Sequence, residues 1–80
     1  MEYYLHNMEE NFLFIWTYIL KIVQYYFEQN KPEEAYKVFE NGCNLVAGHL
    51  PKAYSIATQT LTREQMDIIW KFDGERNENN

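Results

Sequence analysis

The segment from Met8 to Glu28 constrains the fold of this chain more than any other. Placed on a helix at about 100° per residue, its polar residues Glu10, Thr17, Lys21, Gln24 and Glu28 lie 7, 4, 3 and 4 positions apart and stack into one narrow strip. Every other position from Phe12 to Phe27 is apolar or aromatic. Phe12, Ile15, Ile19, Ile22, Val23 and Tyr26 make one side, Leu13, Trp16, Leu20 and Phe27 another, and Phe14, Tyr18 and Tyr25 close the arc. A surface helix needs an apolar stripe only about 100° wide, and this arc is more than twice that. Such a helix is a central one, packed on two or three sides.

Its flanks and length decide between membrane and core. The apolar run is about 16 residues long and contains Lys21 and Gln24, whereas a span needs roughly 20. Glu2, Glu9 and Glu10 stand where a secretory signal would be basic. A membrane-surface helix carries Lys and Arg on its polar face, and here one Lys stands among acidic and amide residues. The expectation is a core helix that also serves an oligomer interface, with no membrane contact.

Eighty residues make one domain, too small for a generous core. Chains of this size gain stability from disulfides, metals or oligomerisation. Cys43 is the only cysteine, and with two histidines it supplies no zinc-type cluster. Oligomerisation remains, so a homodimer is expected through Leu13, Trp16, Leu20 and Phe27. A single thiol and no signal sequence fit a reducing cytoplasm. The net charge is −5 and the seven basic residues are scattered singly, so direct nucleic-acid binding, which needs clustered Lys and Arg, is not expected.

Capping signals divide the rest. Asn7 with Glu10 has capping-box spacing and starts the first helix at Met8, after an aromatic lead-in. Asn30 with Glu33 repeats that spacing, and Pro32 suits a helix's first turn, so a second helix runs over Lys31–Ala47. Its buried stripe is Ala35, Val38, Phe39, Gly42, Cys43, Leu45 and Val46. Gly42 costs about 1 kcal/mol against Ala in a helix interior, which points to close helix approach. Gly48 caps this helix and Pro51 restarts a third, with Leu50, Ala53, Ile56, Ala57 and Leu61 inward and Tyr54 at the edge. Thr62-Arg63-Glu64-Gln65 is a capping box for a fourth helix that ends near Phe72 at Asp73-Gly74. On it, Met66, Ile69 and Trp70 face the bundle, and Ile68 and Phe72 point outward. Residues 75–80 hold no apolar residue and read as a disordered tail. The fold class is all-α, a bundle of three to four helices around the first, with one domain over residues 1–74.

The hairpin Ile19–Val46 resembles a single tetratricopeptide unit through Tyr26, Glu33-Glu34-Ala35, Phe39 and Gly42. The Trp, the Leu-Gly and the closing Pro of that pattern are absent, and solenoids need about three repeats. Glu28-Gln29-Asn30-Lys31 and Ile69-Trp70-Lys71-Phe72 resemble, more faintly, the small helical nucleoid-associated regulators of the Hha type.

Catalysis finds little footing. Cys43 and His49 are six apart, about 200° on a helix, with Gly48 between them. Glu9-Glu10 and Glu33-Glu34 sit in helix first turns, where the macrodipole favours them. No glycine-rich phosphate loop and no cofactor signature occur. By elimination the expected function is non-enzymatic: binding another protein as its regulator or inhibitor. Ile68, Phe72, Tyr18 and Tyr25 are the expected partner-binding residues. Richness in Asn, Ile, Lys, Tyr and Phe suits an AT-rich phage or mobile-element gene. One competing reading is a nucleic-acid-linked regulator, acting through protein contacts or mimicking DNA with Glu28, Glu33, Glu34 and Glu40. Another is a small-ligand sensor with an aromatic pocket.

Overall fold

A computed structural model describes the backbone of residues 2–78 and the side chains of residues 11–75. The chain is an all-α bundle of four helices: α1 (Glu2–Glu28), α2 (Pro32–Leu45), α3 (Leu50–Thr60) and α4 (Arg63–Glu78). A short 3-10 turn, Ala47–His49, joins α2 to α3. α1 packs mainly on α2 and more lightly on α3, while α4 closes against α2 and α3. The longest dimension, 42 Å, is about the length of a 27-residue helix at 1.5 Å per residue. α1 thus sets the shape of the molecule.

α1 begins earlier than the capping signal suggests. Residues 2–7 carry neither Gly nor Pro, nothing interrupts the helix, and Asn7 is an interior residue.

The first turn between helices also works differently. Asn30 has φ 63°, the only positive φ among the described non-glycine residues. Its N–H donates to the Phe27 carbonyl at 3.1 Å and the Lys31 N–H to the Tyr26 carbonyl at 2.9 Å. These two bonds form a Schellman motif that ends α1. Asn30 therefore closes α1 rather than capping α2, whose N-cap is Lys31 with no side-chain hydrogen bond. Asn is suited to the left-handed region because its short polar side chain tolerates it.

The capping box before α4 forms as its spacing predicts. Thr62 N–H donates to Gln65 Oε1 at 3.0 Å and Gln65 N–H to Thr62 Oγ1 at 3.1 Å. No described glycine has positive φ, so neither Gly48 nor Gly74 acts as a left-handed cap. α2 stops at Leu45, and α4 runs through Asp73-Gly74 to Glu78, past the end at Phe72 expected from the sequence.

The core comprises Phe12, Trp16, Ile19, Leu20 and Val23 of α1, Ala35 and Phe39 of α2, Val46, Ala53, Ala57 and Leu61, and Met66 and Ile69 of α4. A Cβ on Gly42 would lie 2.7 Å from Ile19 Cγ2 and 2.9 Å from Trp16 Cζ3. The glycine is there because α1 and α2 nearly touch. Ala53 and Ala57, both fully buried, do the same for α3. There the Trp16 indole N–H donates to the Ala53 carbonyl at 2.8 Å.

Candidate functional site

Three surface regions gather chemistry-bearing or apolar side chains. The first is a cleft of about 210 Å³ between α2, α3 and α4, walled by Phe39, Tyr54, Ile69 and Trp70 and holding Tyr36, Glu40, Cys43 and Asp73. The Tyr36 hydroxyl lies 2.9 Å from Glu40 Oε2 and 3.3 Å from Asp73 Oδ1. Burial pushes the Cys43 thiol up to about 11, a rise partly opposed by a hydrogen bond from Tyr54 and reinforced by the Asp73 charge. Burial and the neighbouring Cys43 likewise raise the Tyr54 hydroxyl. A thiol protonated throughout the neutral range is a poor nucleophile. His49 lies elsewhere, 4.8 Å from the Phe12 ring centroid, in a recess with Asn11, Ile15, Leu45 and Val46. Cys43 and His49 thus open on different surfaces and do not form a nucleophile–base pair. Among the described residues, no group of three His, Cys, Asp or Glu side chains could hold a metal ion.

The second region is the corner where α1 turns into α2 beside α4. A depression of about 630 Å³ is lined by Tyr26, Asn30, Lys31, Pro32, Glu33, Glu34 and Phe72. On the other side of Pro32, one of about 360 Å³ is lined by Phe27, Asn30, Thr62, Glu64, Gln65 and Ile68. Ile68 and Phe72 are half-buried here, and Phe72 rests on the Tyr36 ring at 5.7 Å. Trp70, expected inside, is 44% exposed and packs edge-on against Tyr54 at 5.5 Å. Met66 and Ile69 fill the α4 side of the core, leaving the wider indole to lie along its margin.

The third region is on α1. Phe14 is 75% exposed, Tyr18 67%, Tyr25 55% and Ile15 48%. The dimer interface expected at Leu13, Trp16, Leu20 and Phe27 is divided: Trp16 and Leu20 are wholly buried within the chain, Phe27 is half-buried and Leu13 is 39% exposed. Close approach at Gly42, Ala53 and Ala57 closes α2 and α3 over that side, so those two side chains have no surface to offer a second copy. The bare side of α1 is the opposite one, containing the predicted partner residues Tyr18 and Tyr25. Phe14, Ile15 and the exposed Leu45 belong to this surface and were not among the expected site residues. The signal for most of it was present, since Ile15, Tyr18, Ile22 and Tyr25 are spaced 3, 4 and 3.

The acidic row considered for DNA mimicry is also divided. Glu28, Glu33 and Glu34 are exposed, while Glu40 is half-buried beside the Tyr36 hydroxyl. Among the described residues no helix is long and apolar enough to cross a membrane. No protein-family model matches the chain, and no curated protein or solved structure is significantly similar to it.

Proposed function

We propose that this chain is a non-enzymatic interaction module that binds and regulates a larger protein at the corner around Pro32. The observation that carries this reading is the placement of half-buried Ile68 and Phe72 in two depressions that meet at that proline. An apolar side chain in each of two adjoining depressions suits a partner that inserts a few anchoring side chains, the pattern by which interfaces concentrate their energy. The polar rim contains Glu33, Glu34 and Glu64 against the single Lys31. With a net charge of −5, such a rim favours a target with basic residues around its apolar anchors and speeds encounter with it. Covering part of a larger target at such a corner is the action of a regulator or inhibitor.

The test is affinity capture from the native host with three forms of the chain. Ile68→Ser combined with Phe72→Ser should keep the helical circular dichroism and lose the captured target. Glu33→Lys with Glu34→Lys, both exposed and outside the core, should weaken capture in a salt-dependent way. An identical captured set with all three forms would refute this site.

A further inference from the structure

One side of α1 is left bare by the rest of the chain. Ile15, Tyr18, Ile22 and Tyr25 repeat at 3, 4 and 3, the spacing by which two helices pack along a common line. Ile15, Tyr18 and Tyr25 are exposed and Ile22 is half-buried, whereas Trp16, Leu20 and Val23 on the other side of α1 are wholly buried. Phe14 extends the row, and Leu45 at the end of α2 stands beside Ile15 at the rim of a recess of about 270 Å³.

Area favours a copy of the same chain as occupant. Taking about 200 Å² for a whole aromatic side chain, Phe14, Tyr18 and Tyr25 leave about 400 Å² in water. Ile15 and Leu45 bring the patch to about 600 Å², the upper end of what a monomer ordinarily exposes. Two such patches facing each other remove about 1,200 Å², the lower bound of a standard specific interface. A two-fold pairing supplies the same apolar row on both sides, so nothing further is needed to complete the area.

No charged residue stands within the row: Lys21 and Glu28 belong to the flanking polar strip. We infer that this protein forms a homodimer in which α1 packs on α1 of the second copy through Phe14, Ile15, Tyr18, Ile22 and Tyr25. This surface is separate from the Pro32 corner, so pairing leaves both copies of that corner open. The chemistry also fixes the response to salt. Each copy carries −5 and the contact is apolar, so salt screens the repulsion and strengthens pairing.

Sedimentation equilibrium of the full chain tests this. The expected result is a species of twice 9.7 kDa at micromolar concentration, held more tightly at high salt. Phe14→Ser with Tyr18→Ser should leave helix content unchanged, both side chains being exposed, and raise the dissociation constant at least about tenfold, as loss of anchor residues does. Ile68→Ser with Phe72→Ser should leave it unchanged. Three results would overturn the inference: a monomer throughout that range, a dimer indifferent to the Phe14 and Tyr18 changes, or a dimer that dissociates as salt rises.

Discussion

The indole N–H of Trp16 donates to the carbonyl oxygen of Ala53 across 2.8 Å, where both residues are fully buried. The bond joins the centre of α1 to the backbone of α3 at a fully buried alanine. Trp16 also meets Phe39 edge-on at 5.5 Å, so one residue organises contacts with two helices. Trp16→Phe should destabilise by about 2–3 kcal/mol, roughly 1 for the lost hydrogen bond and the rest for the cavity left by the smaller ring. Trp16→Ala and Phe39→Ala should each cost about 3–5 kcal/mol, comparable to the whole stability of so small a domain. Urea titration of Trp16→Phe is the measurement. A midpoint equal to the parent's would show that the bond does not hold α3 in place.

The same indole sets the cost of filling Gly42. An added Cβ would meet Ile19 Cγ2 at 2.7 Å and Trp16 Cζ3 at 2.9 Å, and the ring cannot retreat without giving up its bond to Ala53. Gly42→Ala gains about 1 kcal/mol in helix propensity and loses about 1–3 kcal/mol to overpacking. A net destabilisation of about 1 kcal/mol is expected. Ile19→Ala in the Gly42→Ala background should cost less than Ile19→Ala alone, the non-additivity of touching residues. Strict additivity in this double-mutant cycle would mean that the two sites do not press on each other.

How far the sequence reaches can be judged at these positions. The spacing of Ala35, Phe39, Gly42 and Val46 marked the buried stripe of α2, and Gly42 itself marked the close approach. Thr62 with Gln65 marked the start of α4, because a reciprocal cap is a local device. The side of α1 that faces inward was not legible, because apolar residues cover almost its whole circumference. That choice depends on tertiary contacts with Gly42, Ala53 and Ala57. Leu45 shows the same limit: its spacing places it on the buried stripe of α2, but that helix ends there and leaves it 74% exposed. At the candidate site, Ile68 and Phe72 were identifiable as apolar residues off the main stripe of α4. The depressions around Pro32 were not, since they form where three helices meet.

Asn30 offers a test confined to one turn. At φ 63° an L-residue with a Cβ is strained by about 1–2 kcal/mol, and Asn relieves part of that strain. Asn30→Gly should leave stability within about 0.5 kcal/mol of the parent, since relief of strain is offset by the greater entropy of the unfolded chain. Asn30→Ala should cost about 1 kcal/mol, and Asn30→Val more, being β-branched. Thermal melts of the three variants provide the ranking. If Val proved as stable as Gly, the Schellman turn would not form.

Cys43 provides the pH test. Its thiol is raised from an ordinary 9.0 to about 11, chiefly by burial. A raised thiol favours the protonated form in the folded state, so the unfolded chain loses this proton first as pH climbs. The contribution to stability is therefore full below about pH 9 and is lost as pH rises towards 11. Tyr54 is raised in the same direction and steepens the loss. Cys43→Ala should flatten the fall in stability between pH 9 and 11 relative to the parent, a comparison in which the lysines and remaining tyrosines largely cancel. At pH 8 the folded chain should react with iodoacetamide at least about tenfold more slowly than the urea-unfolded chain, because each pKa unit is tenfold in thiolate. Labelling at equal rates would show that the Cys43 thiol is neither shielded nor held protonated by its burial.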